Sequence, residues 1–333
     1  MRTELNTTLT WERPSILPDW QNQYGQGAGG AFSWRNGSGA GVNDGADQSW
    51  GPKLDVPGRS ICQFTSPGAG TPGCTPTPWV SHPDNMEAFF RTGFTVTSTV
   101  AVSGGTDRAF GRVSLGGDNV NGIFPNNDFR RRTAALNGTF HASDRLTAEG
   151  SVQYTYNTGH NRPGTGYWGR NPLENYIWLG RQVDIHALAD YQGKSGATNG
   201  GPATREFNWN YNYHNNPFWL QDQNPVVDRR DRVIGSLAAH YKIADGVNAT
   251  LRTGSDFYRL GIEEDYARGG LAFINQAEQP TDDGHRGAGD LQPRQCCDHS
   301  HHRSATRTAL GEQFVRLRRL HDVRLVDGRG HGA

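Results

Sequence analysis

RVIGSLAAHYKIADGVNATLRTGSDFY, residues 232–258, holds two alternating segments joined by one tight turn. In the first, Val233, Leu237, Ala239, Tyr241 and Ile243 share a face opposite Arg232, Ser236, His240 and Lys242. In the second, Val247, Ala249, Leu251 and Phe257 oppose Asn248, Thr250, Arg252 and Asp256. Successive strand side chains point to opposite faces, so each segment predicts a strand with one apolar and one polar face. Asp245-Gly246 between them is a hairpin turn signal.

Five more segments repeat the pattern. Thr3–Arg13 sets Leu5, Leu9 and Trp11 against Asn6, Thr8 and Glu12. Gly93–Ser103 sets Phe94, Val96, Val100 and Val102 against threonines. Ala109–Gly116, Arg130–Phe140 and Leu146–Asn157 follow, with turns expected at 104–107 and 143–144. Glycine supplies the positive φ that such turns need. Pro14–Thr92, Gly117–Phe129 and Thr158–Asp231 remain as long connections. Short and long connections alternate, which is the rhythm of an up-and-down barrel with turns inside and long loops outside the cell. Each segment is about ten residues, enough for a tilted strand to cross a bilayer. The predicted fold class is all-β, an antiparallel up-and-down transmembrane β-barrel, incomplete, with about seven strands. A soluble β-sandwich also alternates. Loops of roughly 70 to 80 residues argue against it, because compact domains rarely carry them.

Glycine stands at 44 of 333 positions, about twice its ordinary share. Mean hydropathy is −0.73, and no apolar run is long enough for a membrane helix. A barrel tolerates both facts, since only one face of each strand meets lipid. Net charge is zero and no basic face emerges before the tail, so no nucleic-acid partner is expected. The start, Met1-Arg2-Thr3-Glu4, has no apolar signal segment. Cys62 and Cys74 bracket a Gly/Pro stretch and could close a loop in an oxidising compartment.

From His285 the style changes. Six of the twelve histidines fall in 285–333, alternation stops, and Phe314 is the only aromatic. Cys296, Cys297, His299, His301 and His302 suggest a metal. Sequence read in a shifted frame, or a disordered tail, accounts for the composition better. Two domains are expected on this basis: a partial barrel over 1–284 and the atypical tail over 285–333. No metal and no cofactor is expected.

Nothing assembles into a catalytic set, so the chain is not expected to be an enzyme. Asp184, His186 and Asp190 lack a nucleophile signature. Glu263-Glu264-Asp265 reads as a solvated acidic run. The glycines of 25–30 follow no buried strand and open no helix, which fails the context a phosphate loop requires. The best ligand candidates are Trp209, Tyr211, Tyr213 and Asn215, with Asn210 and Asn212 beside them. Flat apolar faces next to amides bind sugars and peptides. Packing of the loops on one another is the competing and favoured role for these residues.

Four stretches carry a family likeness: PDWQNQYGQGAGGAFSWRNGSGAGVNDGADQSWGPKLD at 18–55, TPWVSHPDNMEAFFRTGFTVTSTVAVSGG at 77–105, NRPGTGYWGRNPLENYIWLGRQVD at 161–184, and FNWNYNYHNNPFW with DRVIG at 207–235. They resemble the barrel region of SusC/RagA-type TonB-dependent outer-membrane receptors. The likeness covers roughly residues 3–280. It implies a 22-stranded, plugged barrel in the bacterial outer membrane that imports oligosaccharides or peptides. It also implies a SusD-like surface lipoprotein as a lid, and energy from the TonB complex. This chain departs from that pattern in lacking plug, signal and TonB-contacting segments, so the polypeptide alone is expected to be inactive and insoluble.

Overall fold

The computed structural model describes residues 1–32, 47–166, 171–201, 203–211, 213–267, 269–270 and 303–307. Its main feature is one antiparallel sheet. Strands β1 (Arg2–Glu12), β4 (Gly93–Gly105), β5 (Ala109–Asn121), β6 (Asp128–Ser143), β7 (Leu146–His160), β8 (Val226–Ala244) and β9 (Val247–Tyr266) pair in that order. A short β10 (Arg303–Arg307) adds to the outer end of β9, against Ile262–Tyr266. The chain is thus all-β, a sequential meander as predicted, and no closed barrel forms among the described residues. β2 (Ser60–Ile61) and β3 (Thr77–Pro78) make a separate small ribbon.

All seven expected segments are strands, and three tight turns lie at one end of the sheet. Thr106 Oγ1 accepts from the Arg108 and Ala109 amides, and Ser143 Oγ from those of Arg145 and Leu146. Gly246 takes φ 79° in the third turn. Two expectations need correction. The strands are longer than ten residues, reaching 19 in β8 and 20 in β9, because the ladder continues past the alternating segments through charge-rich runs such as 228–231 and 263–265, where the pattern of one apolar face is lost. For the same reason the expected long connection 117–129 shrinks to 122–127. Its ends are tied by Gly122 N–H donating to Asn127 C=O and by the Arg91 guanidinium donating to the carbonyl oxygens of Gly122 and Asn127.

The register aligns the apolar positions. Leu5, Val100, Leu115, Ala134, Tyr154, Val233 and Phe257 form one continuous row across seven strands. Their face carries no charged residue over 3–11, 94–104, 109–121, 134–140, 146–158, 233–243 or 247–257. It is also uncovered: Leu5 is 79% exposed, Leu237 65% and Leu251 60%. The opposite face is polar and internally paired. Arg112 meets Glu4 at 3.4 Å, Arg232 grips Asp256, and Asp118 accepts from Thr97 and Arg131.

The hydrophobic core lies in the loops. Connections 13–92 and 161–225 leave the same end of the sheet and pack into one lobe around Phe89, Tyr176, Val183, Ile185, Leu188 and Trp219. Short helices α1 (Asn85–Phe89), α2 (Pro172–Trp178), α3 (Ile185–Ala189) and α4 (Pro217–Gln223) punctuate it. Asn171 and Asn216 cap α2 and α4, each followed by a proline at the first helical position. That pairing satisfies an orphan amide and needs no proline N–H. The two connections cross at Gly70 and Gly200, both at positive φ. A Cβ on either would stand 2.1 Å from the other's Cα. Cys62 and Cys74 are joined as a disulfide within the lobe.

Leu188 is fully buried and Leu237 is 65% exposed. Leu188→Ala should therefore cost the lobe about 2–5 kcal/mol, read as a lower melting temperature in near-UV circular dichroism. Leu237→Ala should leave that lobe transition in place.

Candidate functional site

The asparagine- and aromatic-rich run over 207–216 folds back on itself inside the lobe. Asn208 is the organiser. Its Nδ2 donates to the carbonyls of Asn210 and His214, and its Oδ1 accepts from Trp209 N–H at 2.9 Å. Tyr211 Oη accepts from Asn208 N–H at 3.0 Å and donates to Asn199 Oδ1 at 2.7 Å. Asn216 Nδ2 donates to Leu188 and Phe207 carbonyls while its Oδ1 caps α4. Amides serve here because they donate and accept at once, so buried backbone is satisfied without buried charge.

This places the expected ligand residues. Trp209, Tyr211 and Asn215 are buried at 2%, 6% and 3% exposure, holding the loop together. Tyr213 is half-buried, and Asn212 lies outside the described residues, as do Cys296, Cys297, His299, His301 and His302. Asp184 caps α3 by accepting from His186 N–H at 2.9 Å. Glu263 pairs with Arg229 at 3.2 Å. Among the described residues, no cluster of three or more His, Cys, Asp or Glu could hold a metal.

Beneath this run lies a buried titratable cluster. The His214 ring stacks between Trp209, 5.8 Å away, and Trp178, 6.1 Å away. Its Nε2 meets Asp47 Oδ2 at 3.0 Å. Burial lowers the His214 pKa, and Asp47 opposes that shift. Burial pushes Glu174 up to about 7, helped by the Asp47 charge and opposed by the Trp178 N–H. Glu206, also buried, is raised to about 8, and backbone amides oppose the shift. An uncharged glutamic acid is the stable form in such a site.

The open aromatic surface is elsewhere. A cleft of about 250 Å³ is lined by Trp20, Trp50, Trp178, Gln48 and Arg181. Trp50 is 62% exposed. Arg181 is buried, donates to the Tyr176 and Leu179 carbonyls, and lies 4.5 Å from the Trp20 ring centre. A second cleft of about 390 Å³ shares Trp20 as a wall and is almost wholly apolar, with Leu17, Met86, Phe90, Phe124 and Leu173. Trp20 and Trp50 flank a glycine-rich stretch in sequence, and nothing in their spacing marks them as neighbours of Trp178. Only the crossing of the two connections brings them together. No protein-family model matches the chain, and no curated protein matches it.

The buried acids set a pH dependence for the lobe. Their unfolded value is near 4.5, and the folded values are about 7 and 8. Between pH 4.5 and 8 the unfolded chain releases protons that the folded lobe keeps, so stability falls as pH rises. His214 acts oppositely, costing stability as pH falls below its ordinary 6.5. Glu206→Gln should flatten the decline and give a higher melting temperature than wild type at pH 8, with no such gain at pH 4.5. Thermal scans at the two pH values check it.

Proposed function

We propose that this chain contributes barrel strands and extracellular loops to a SusC/RagA-type TonB-dependent receptor of the bacterial outer membrane. Such a receptor takes up oligosaccharides or peptides under a SusD-like lipoprotein, with energy from the TonB complex. The observation that carries this reading is the uncovered, charge-free face of the sheet. A soluble, surface-attached binding module would bury that face under a second layer, since water penalises several exposed rows of Leu, Val and Phe. Lipid does not.

The dimensions agree. The stretches Val233–Ile243 and Val247–Phe257 are eleven residues each; at about 3.4 Å per residue and a tilt of about 40° they span roughly 26 Å, the height of the apolar band of an outer-membrane barrel. The tilt comes from the register. Thr7, mid-band on β1, aligns through six pairings with Arg259 of β9. The middle of the apolar stretch on β9 is Arg252, seven residues nearer the turn. A drift of about 1.2 residues per strand, at about 4.8 Å between strands, corresponds to a tilt of roughly 40°. A band level with a membrane must drift in this way across tilted strands; a flat water-facing sheet has no such requirement.

The polar face then lines the interior, and the loop lobe stands outside the cell, where the Cys62–Cys74 bond suits an oxidising environment. The Trp20–Trp50–Trp178 cleft is the substrate contact on this lobe. The edge that β1 leaves among the described residues must be paired in the membrane, because hydrocarbon tolerates no unsatisfied backbone; in vesicles of this chain alone a second copy can pair there.

Neighbouring residues of β8 provide the test. Leu237→Arg, on the charge-free face, should cost about 2–4 kcal/mol of insertion. Ser236→Arg, on the opposite face, should cost little. Urea titration of the chain refolded with phosphatidylcholine vesicles, read by flotation and tryptophan fluorescence, separates them; equal effects of the two substitutions would reject the membrane reading.

A further inference from the structure

Immediately beyond the charge-free band, on its loop side, the same face changes character within one residue pair. Arg132, Tyr156, Asp231 and Arg259 form one register row across β6 to β9. Arg130, Thr158, Arg229 and Gly261 form the next. Each arginine is therefore two or four residues from the last apolar side chain of its strand: Ala134, Val233 or Phe257. Four guanidinium groups occupy a patch four strands wide, roughly 14 Å, and two rows deep, roughly 7 Å.

The charges on this patch are not mutually cancelled. Arg229 pairs with Glu263 at 3.2 Å. Asp231 accepts from Tyr154 Oη, which reaches up from the band. Asp128, at the strand's end, faces His160 at 3.5 Å. Arg132 donates to Asn119 Oδ1 and to the Asp118 and Arg131 carbonyls, all uncharged partners. Among the described residues no carboxylate lies within ion-pair distance of Arg130, Arg132 or Arg259, and all three are exposed. On the opposite face Arg112, Arg131 and Arg232 each hold a carboxylate, and Arg230 lies over the Tyr258 ring.

Resting on the membrane reading above, we propose that Arg130, Arg132 and Arg259 form a collar that binds the phosphate groups of anionic lipid headgroups in the leaflet on the loop side. Arginine presents a planar fork that matches phosphate oxygens. A basic cluster at the edge of an apolar span meets headgroups at their own depth, and each arginine there contributes a factor of about five in binding. Tyr154, in the last row of the band, and Tyr156, in the row of Arg132 and Arg259, place amphipathic rings at this margin, where such rings favour the interface. The collar would fix how deep these strands sit and their rotation relative to the outer surface.

The test uses the full chain, refolded with phosphatidylcholine vesicles or with phosphatidylcholine vesicles containing phosphatidic acid. Wild type should partition more tightly into the second kind by about fivefold per engaged arginine, and high salt should weaken the preference. Arg130→Gln, Arg132→Gln and Arg259→Gln together should remove it. The corresponding lysine substitutions should keep most of it, which separates lost charge from lost fold. Arg252→Gln, on the opposite face, should leave the preference intact. Equal partitioning into both vesicles, or an unchanged preference in the triple glutamine variant, overturns the collar while the membrane reading stands. Loss of the lipid preference in inorganic phosphate would make this a free-anion site and overturns the headgroup assignment. Failure to enter either vesicle overturns the membrane reading and the collar with it.

Discussion

The backbone ladder from β1 to β9 satisfies the strands' hydrogen bonds from their neighbours but leaves one apolar face that none of the described residues covers. Everything else is arranged around that face. It carries no charge for seven to thirteen residues per strand, and on β6 to β9 its margin toward the loops turns abruptly to arginine and tyrosine. The opposite face holds ion pairs such as Glu4–Arg112.

Because the apolar face of the sheet buries none of its large side chains, rigidity has to come from elsewhere. The two long connections supply it by sharing one core, in which aromatic side chains fill space and asparagine side chains satisfy the irregular backbone. Asn208, Asn216 and Asn161 each bond two or more main-chain groups. A loop of this length would ordinarily lose too much chain entropy to stay ordered. Here it behaves as a small domain, with a disulfide and capped helices of its own.

Alternation made the strands legible wherever one face was apolar, which is why residues 232–258 can be placed almost to the residue. It failed beyond Gly116 and before Arg130, where Asp118, Asn119 and Arg130 make both faces polar and the ladder nevertheless continues. The lobe was far less legible. Trp209, Tyr211 and Asn215 have the composition of a binding surface, but the same side chains are also what an irregular core needs. Local sequence cannot separate the two roles, because the difference lies in how the folded lobe packs, as where Tyr211 meets Asn199 and Asn215 meets Asn175. The Trp20, Trp50 and Trp178 cleft was missed for the same reason.

The glycine-on-glycine crossing of residues 70 and 200 also orders the path to the native state. The hairpins β4–β5, β6–β7 and β8–β9 involve only near neighbours and can form early and quickly. The crossing joins two connections separated by the four strands β4 to β7, so it closes a circuit through most of the meander. Contacts of such high order are slow to form. The lobe is thus the last part to assemble. Until it does, its aromatic side chains are exposed, and that interval, more than the finished structure, is when the chain is most prone to aggregate.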